Sequence, residues 1–203
     1  MEYDITGRRK PIEFMGFKSK LEYIASNWLS LELALKTLYE PMTFKTKIGR
    51  YTPDFYCPKI KTYFECKPSI HFANLELYKE FVLNEKKDLV LLTPIQVATI
   101  EFCEYPEGPS EVSQSWTYDW TDGDSQLGFC SKCATYFFSH IVGSYHCRAC
   151  GTHEGDHDQI HLYSASGSDL NDSYFKNGDF IDFPSYYLAA IEKRVLMELY
   201  EKH

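Results

Sequence analysis

The chain has 203 residues, which is enough for one main hydrophobic core with a small metal-stabilised module beside it. Its 44% hydrophobic and 25% charged residues are close to globular averages, which excludes a chain that is disordered throughout. No apolar run approaches the roughly 18 residues that cross a bilayer, and residues 1–14 lack the apolar centre of a signal peptide. We therefore expect a soluble cytoplasmic protein with no membrane partner.

The formal charge of −8 is unevenly distributed along the chain. Residues 1–67 carry 12 Lys and Arg against 8 Asp and Glu, whereas residues 68–203 carry 9 against 21. Overall charge therefore does not predict nucleic-acid binding, but any surface for a polyanion is expected in the first third. An ordinary solvated face explains the same asymmetry.

The first third of the sequence predicts one helix followed by three strands. Apolar residues recur at helical spacing from about Lys18 to Tyr39, and Pro41 ends the pattern. Three short segments rich in aromatic and β-branched residues follow, over 42–47, 50–57 and 61–67. They predict a three-stranded antiparallel meander.

A second helix and two more strands are predicted after Pro68. Residues 71–83 place most of their apolar side chains on one helical face, 88–92 form a buried apolar run, and 96–105 predict a further strand. The order α-β-β-β-α-β predicts an α/β fold in which helices flank a mixed sheet.

The remaining sequence is less regular and sets the expected domain boundaries. Residues 106–115 are turn-rich and expected to be exposed, whereas 184–200 predict a terminal helix that packs on the core. We expect a core over 1–105, a linker or irregular segment over 106–126, a metal module over 127–155, and a C-terminal segment over 156–203.

Two acidic residues and one lysine are expected to meet at the end of the predicted meander. Side chains alternate along a strand, so Glu65 and Lys67 emerge on one face, and a hairpin brings Asp54 beside them. Converging carboxylates repel each other unless a cation joins them, and their hard oxygen atoms suit Mg²⁺ or Mn²⁺. Lys67 would orient or help deprotonate a metal-bound water, and Glu22 on the first helix would reach the same pocket.

The order of these residues resembles the PD-(D/E)XK nuclease superfamily. The motifs that carry the resemblance are K-S-x-x-E ending at Glu22, G-R-Y-x-P-D-F around Asp54, and E-x-K-P beginning at Glu65. They cover roughly residues 14–94 and are most similar to small, often phage-encoded members in which a zinc ribbon follows the core. The end-cleaving nuclease subunits of some transposons are also similar.

The resemblance implies a restriction-endonuclease-like fold and a metal-dependent endonuclease that hydrolyses DNA phosphodiester bonds. It implies that Mg²⁺ or Mn²⁺ is bound by Asp54, Glu65 and the backbone carbonyl of Cys66, with Lys67 assisting the water and Glu22 supporting the site. Cys66 departs from the usual β-branched residue, but only its backbone would touch the metal. A phage origin would place the protein in the host cytoplasm.

Other functions are compatible with the same residues. Glu65 and Lys67 also fit an exposed cross-strand ion pair, with Asp54 beginning a turn. A nuclease fold without catalysis would act on a protein partner, such as a phage factor acting on host proteins. A junction resolvase or transposon end-cutter would form a homodimer or join a partner. If DNA is the partner, the candidate contacts are the basic residues near the motifs, Lys18, Lys20, Lys45, Lys47 and Arg50.

Four of the seven cysteines predict a structural zinc site. Cys130-x₂-Cys133 and Cys147-x₂-Cys150 have the spacing of two zinc knuckles, and four thiolates fill the tetrahedral coordination of Zn²⁺. The residues between the two pairs predict a β-hairpin that turns at 143–144.

The alternative zinc ligand set replaces one cysteine with His140, His146 or His153. Because Lys132 and Arg148 are the only basic residues in the module, we expect it to staple the fold rather than to bind DNA.

Overall fold

The computed structural model of the chain describes residues 15–93, 96–103, 111–114, 125–140, 146–153 and 159–163. These residues form a mixed α/β fold with a mixed sheet and few helices. In this part of the chain neither α-helix has the length and apolar character needed to span a bilayer. The predicted C-terminal helix and the predicted turn at 143–144 lie outside the described residues.

The helices are α1 (Lys20–Asn27), which continues into a π-helical turn (Trp28–Glu32), and α2 (Leu75–Glu85), which follows a 3₁₀ turn (Ile70–Phe72). The strands are β1 (Leu38–Tyr39), β2 (Phe44–Lys45), β3 (Arg50–Tyr51), β4 (Phe55–Cys57), β5 (Thr62–Cys66), β6 (Leu89–Thr93), β7 (Gln96–Cys103), β8 (Glu111–Gln114), β9 (Ser125–Cys130), β10 (Thr135–His140) and β11 (Ile160–Tyr163).

The largest sheet has six strands in the order β1-β4-β5-β6-β7-β8. Strands β5 and β6 are parallel, and every other neighbouring pair is antiparallel. Because α2 lies between β5 and β6 in sequence, these two strands and the helix form the crossover that a parallel pair requires. Strands β2 and β3 form a separate two-stranded hairpin.

The two faces of the central strands belong to different hydrophobic clusters. Phe64 and Cys66 of β5 face a cluster that contains α1 and the cysteine module, a name used here for β9, β10, β11 and the two cysteine pairs. Tyr63 faces a second cluster, which contains α2 and the β2–β3 hairpin. Strand β6 alternates in the same way. Every residue of β5 and β6 is buried, and burial on both faces explains why β6 is almost entirely apolar.

The cysteine module is a three-stranded sheet that packs directly on the core. Strand β9 lies between β10 and β11. Phe138 of β10 contacts Trp28 and Phe64, with ring centroids 6.0 and 5.5 Å away, respectively. Gly128 of β9 leaves room for the ring of Phe137, because a Cβ at this position would lie 2.3 Å from Phe137 Cζ.

An ion cluster also joins the module to the large sheet. Arg148, between the two cysteines of the second pair, donates from Nε to Asp88 Oδ2 at 2.7 Å and forms an ion pair with Glu101. Asp88 Oδ1 accepts a hydrogen bond from the backbone N–H of Phe102 at 2.9 Å. All three charged side chains are largely buried, so each needs the opposite charge of its partners.

The first helix is shorter than the sequence predicts. Helix α1 ends at Asn27, and the apolar pattern beyond the π-helical turn belongs to extended chain. Leu33 and Leu35 are buried while Ala34 and Lys36 are exposed, an alternation of period two. Ala34 also has a φ of +52°, which stops any right-handed helix.

The predicted three-stranded meander is wrong in its middle strand. The segment 50–57 splits into β3 and β4, which belong to different sheets, because Pro53 cannot donate a ladder hydrogen bond. The second helix was predicted over 71–83 but begins at Leu75, where Asn74 Oδ1 accepts a hydrogen bond from Leu77 N at 3.2 Å.

Two strands lie in segments where none was predicted. Strand β8 falls in the segment predicted as an irregular, exposed linker and pairs with β7. Strand β11 falls in a polar segment without clear period and pairs with β9. Strands β9 and β10 form a hairpin across the first cysteine pair. The hairpin predicted between the two pairs stays a prediction, because its turn lies outside the described residues. The strands predicted over 88–92 and 96–105 are confirmed as β6 and β7.

Candidate functional site

Glu65 is a buried carboxylate near the end of β5, with 4% of its surface exposed. Its Oε2 accepts a hydrogen bond from the Tyr51 hydroxyl at 2.8 Å, and Oε1 accepts one from the Tyr78 hydroxyl at 3.3 Å. Lys67 forms an ion pair with Oε1. Its burial excludes the alternative in which Glu65 and Lys67 are an exposed surface pair.

Asp54 is brought to the same end of the strand by the pairing of β4 with β5. Its Oδ2 accepts a hydrogen bond from the backbone N–H of Cys66 at 2.7 Å. Burial and the negative charge of Glu65 raise the pKa of Asp54 from 3.8 to about 7. One buried and one partly buried acidic group that affect each other in this way favour either a proton or a cation between them.

Lys67 directly follows β5 and is fixed by its backbone N–H, which donates to Leu92 O at 2.9 Å. Burial lowers the pKa of Lys67, but the nearby carboxylates of Glu65 and Asp54 raise it further, so it ends above its ordinary value. The ammonium is therefore charged at neutral pH. This favours charge neutralisation and orientation of a water over proton abstraction.

Glu22 has a clear structural role at the start of α1. Ser19 Oγ accepts from Glu22 N at 3.1 Å and donates to Glu22 Oε1 at 2.8 Å, an arrangement that caps the helix. Oε2 accepts hydrogen bonds from Tyr39 Oη at 2.6 Å and from Lys18 N at 3.1 Å. The negative charge of Glu22 also contributes to raising the pKa of Asp54.

Sequence reasoning missed two residues that hold Glu65. Tyr51 and Tyr78 approach its carboxylate from β3 and α2, and burial raises the pKa of both phenols, so both stay protonated and donate. Tyr51 lies within the G-R-Y-x-P-D-F motif, so the motif could have indicated that this tyrosine contacts the site. Tyr78 was assigned only to the apolar face of its helix, and nothing local in the sequence indicates a polar contact.

Asp54, Glu65 and Lys67 are thus neighbours, and Glu22 is close enough to Asp54 to act on it electrostatically. Among the described residues, the three carboxylates do not converge into a tight group of the kind that the four cysteines form. Each carboxylate is held instead by protein donors. The oxygen atoms keep further lone pairs, and carboxylate oxygens are the ligand type that Mg²⁺ and Mn²⁺ prefer, so Asp54 and Glu65 are the residues that would hold such an ion. The role of the Cys66 carbonyl stays a prediction.

The five candidate DNA contacts separate into two groups. Lys18 forms an ion pair with Glu40, and Lys20 is exposed in the first turn of α1. Lys45, Lys47 and Arg50 are exposed on the β2–β3 hairpin and its turn.

The four cysteines of the module are gathered as zinc ligands require. The sulfur atoms of Cys130, Cys133, Cys147 and Cys150 all lie within 4.8 Å of one another. Cys130 Sγ lies 3.7 Å from Cys150 Sγ, and Cys133 Sγ lies 3.5 Å from Cys147 Sγ. Tetrahedral coordination with Zn–S bonds of about 2.3 Å gives sulfur separations of roughly 3.8 Å, so the cluster fits a structural Zn²⁺.

Of the three histidines in the alternative ligand set, His146 and His153 are not part of the metal-ligand group that the four cysteines form. His146 contacts Arg148 and lies against His153, with ring centroids 5.4 Å apart. Both rings are therefore engaged outside the group of four sulfur atoms.

The sequence matches no protein-family model, and no curated protein matches it. The function of the site therefore follows from its own residues and geometry.

Proposed function

We propose that the protein is a divalent-metal-dependent endonuclease that hydrolyses DNA phosphodiester bonds, with a restriction-endonuclease-like core of the PD-(D/E)XK type. The observation that carries this proposal is the group that the buried Glu65 forms with the partly buried Asp54 and Lys67 at the end of β5. Burying two carboxylates beside each other is costly, and a protein retains such an arrangement where the charges have a use.

Each residue of the group has a separate role in the proposed reaction. Asp54 and Glu65 would hold Mg²⁺ or Mn²⁺, which when bound would polarise the scissile phosphate and acidify a water. Tyr51 and Tyr78 fix the orientation of the Glu65 carboxylate through their hydroxyl groups. The charged Lys67 would orient the attacking water and offset the negative charge that builds on the phosphate oxygen atoms. Glu22 keeps the start of α1 in place beside Asp54.

The test is cleavage of supercoiled plasmid and of labelled oligonucleotides in Mg²⁺ or Mn²⁺. Asp54→Ala and Lys67→Ala should each abolish cutting. Glu76→Gln and Lys59→Gln are matched controls, because they remove one charge of each sign from exposed positions outside the group and should cut like the wild type. Metal dependence is better shown by omitting and restoring Mg²⁺ than by EDTA, which also removes zinc.

Cutting that persists in both site variants would contradict the proposed site. If no substrate is cut by the wild type and both variants keep the biological effect of the protein, a non-catalytic binding module is the better description.

A further inference from the structure

The β2–β3 hairpin is a small, rigid element with a cationic outer face. Phe44 and Tyr51 lie opposite each other, and so do Lys45 and Arg50. Because side chains alternate across a strand, the aromatic pair and the basic pair occupy opposite faces of the hairpin. Phe44 and Tyr51 pack on Phe81 of α2, with ring centroids 4.9 and 4.8 Å away, respectively. The basic pair is exposed to solvent.

The turn of the hairpin is held in one conformation. Thr46 Oγ1 donates to Gly49 O at 2.8 Å and accepts from Gly49 N at 3.0 Å and from Ile48 N at 3.2 Å. The backbone N–H of Lys47 donates to Glu80 Oε1 at 2.8 Å, which ties the turn to α2. The cations of the hairpin are therefore presented on a fixed backbone.

The charges of the hairpin are not neutralised within it. Lys45, Lys47 and Arg50 form no side-chain ion pair or hydrogen bond within the described parts of the chain, in contrast to Lys18, which is paired with Glu40. Like charges directly opposite each other across two strands destabilise the pairing. Lys45 and Arg50 repel each other across the hairpin, although the chain as a whole has a net charge of −8. Two unneutralised cations in this arrangement indicate a polyanionic ligand.

We propose that the outer face and turn of the β2–β3 hairpin form a phosphate-binding surface for duplex DNA. The inference takes DNA as substrate class from the proposed function and assigns the hairpin the task of holding the duplex beside the site. Arg50 and Tyr51 are consecutive residues, and Tyr51 reaches Glu65 from the opposite face. A duplex bound by Lys45, Lys47 and Arg50 is therefore held by the element that also orients the Glu65 carboxylate.

The composition of this surface favours a duplex over a single strand. Proteins that bind single strands combine positive charge with exposed aromatic rings on which bases stack. Both aromatic residues of the two strands face the core, and the exposed turn contributes Lys47, Ile48 and Gly49. A rigid array of cations without stacking rings matches the regular, dense phosphates of a duplex.

The experiment is a binding titration of a fluorescent 20-bp DNA duplex at several salt concentrations without added divalent metal, with the duplex checked for integrity afterwards. The test variant is Lys45→Gln/Arg50→Gln. The matched control is Lys59→Gln/Lys61→Gln, which removes two exposed charges from the β4–β5 turn at the other end of β5. Lys45→Arg/Arg50→Lys keeps both charges. Melting temperatures confirm that all variants fold.

We expect the test variant to bind about 10-fold more weakly near 0.1 M salt and to reduce the slope of log Kd against log salt by about 2, one for each cation that no longer meets a phosphate. The control and the charge-retaining variant should bind like the wild type. Equal binding by the test variant, an equal loss in the control, or equally strong competition by single-stranded DNA would overturn the inference. A change in self-association without a change in DNA binding would also overturn it and assign the surface to a second copy.

The two proposals fail separately. If the test variant binds like the wild type and the wild type still cuts DNA, only the hairpin inference is lost. If the wild type binds the duplex through the hairpin but cuts nothing in Mg²⁺ or Mn²⁺, the nuclease proposal is lost.

Discussion

Asp54 favours its neutral form in the metal-free protein. Its pKa is raised from 3.8 to about 7 by burial and by the charge of Glu65. The folded protein therefore binds this proton more tightly than the unfolded chain does. The resulting stability is fully present below about pH 4, declines as the pH rises through 7, and is absent above that. One pH unit corresponds to about 1.4 kcal/mol, so the whole effect is at most about 4 kcal/mol.

Asp54→Asn should remove this pH dependence. Asparagine carries no charge and keeps an oxygen that accepts from the backbone N–H of Cys66, so we expect the variant to be more stable than the wild type by about 2–4 kcal/mol at pH 8. The difference should shrink toward pH 4 in urea unfolding without divalent metal. A difference that does not change with pH would contradict the raised pKa of Asp54.

Tyr51→Phe should cost more stability than Tyr78→Phe. Both substitutions keep the ring and remove a hydroxyl that donates to Glu65, but the Tyr51 bond is 2.8 Å long and the Tyr78 bond is 3.3 Å long. We expect a loss of about 1.5–3 kcal/mol for Tyr51→Phe and a smaller loss for Tyr78→Phe in urea unfolding. Equal losses would show that the two hydroxyl groups hold the carboxylate equally well.

The cysteine module and the large sheet are held together by the buried ion cluster of Arg148, Asp88 and Glu101. Arg148→Met should destabilise the protein by about 3–5 kcal/mol, because two buried carboxylates lose their cation. The triple variant Arg148→Met/Asp88→Asn/Glu101→Gln should recover most of that loss, since no buried charge is left unpaired. Thermal or urea unfolding of both variants makes the comparison. A triple variant as unstable as the single one would show that packing rather than charge explains the loss.

The elements that were predicted from the sequence are those with a strong local pattern. The apolar run of β6, the β-branched and aromatic residues of β7 and the spacing of the four cysteines were sufficient by themselves. The π-helical turn after Asn27 was not predicted, because the leucines that follow it fit a helix as well as an extended chain that buries alternate residues. Strands β8 and β11 pair at the margins of their sheets, where few apolar residues are needed and the pattern is weak.

The site shows the same division. The spacing of the motifs predicted that Asp54, Glu65 and Lys67 lie close together, and they are neighbours in the fold. The contacts between segments that are distant in sequence could not be predicted from local sequence patterns. Arg148, for example, lies 60 residues from Asp88 and 47 residues from Glu101 along the chain. A charged residue within a predicted apolar strand, as Asp88 and Glu101 are, was the one available indication that a buried cation lies nearby.

The molecule as a whole should lose stability when zinc is removed. The cysteine module shares one hydrophobic cluster with α1 and the central strands, so its strands cannot separate without exposing Trp28 and Phe64. We expect a zinc-selective chelator to lower the melting temperature by on the order of 10 °C, with one transition.

Trp28 provides the matching spectroscopic test. In a Trp116→Phe/Trp120→Phe background it is the single tryptophan of the chain. Its fluorescence should shift to the red when zinc is removed. An unchanged Trp28 spectrum together with an unchanged core transition would indicate that the module folds independently.

The proposed nuclease activity requires that Asp54 and Glu65 bind a divalent ion, and this binding can be tested without knowing the substrate. The measurement is Mn²⁺ binding to the zinc-loaded protein, followed by the loss of the free-ion electron paramagnetic resonance signal. We predict one site in the wild type and in Glu76→Gln, with competition by Mg²⁺, and at least a roughly 10-fold weaker site in Asp54→Asn and in Glu65→Gln. Equal Mn²⁺ binding by all four proteins, or binding by none, would contradict the assignment of this site.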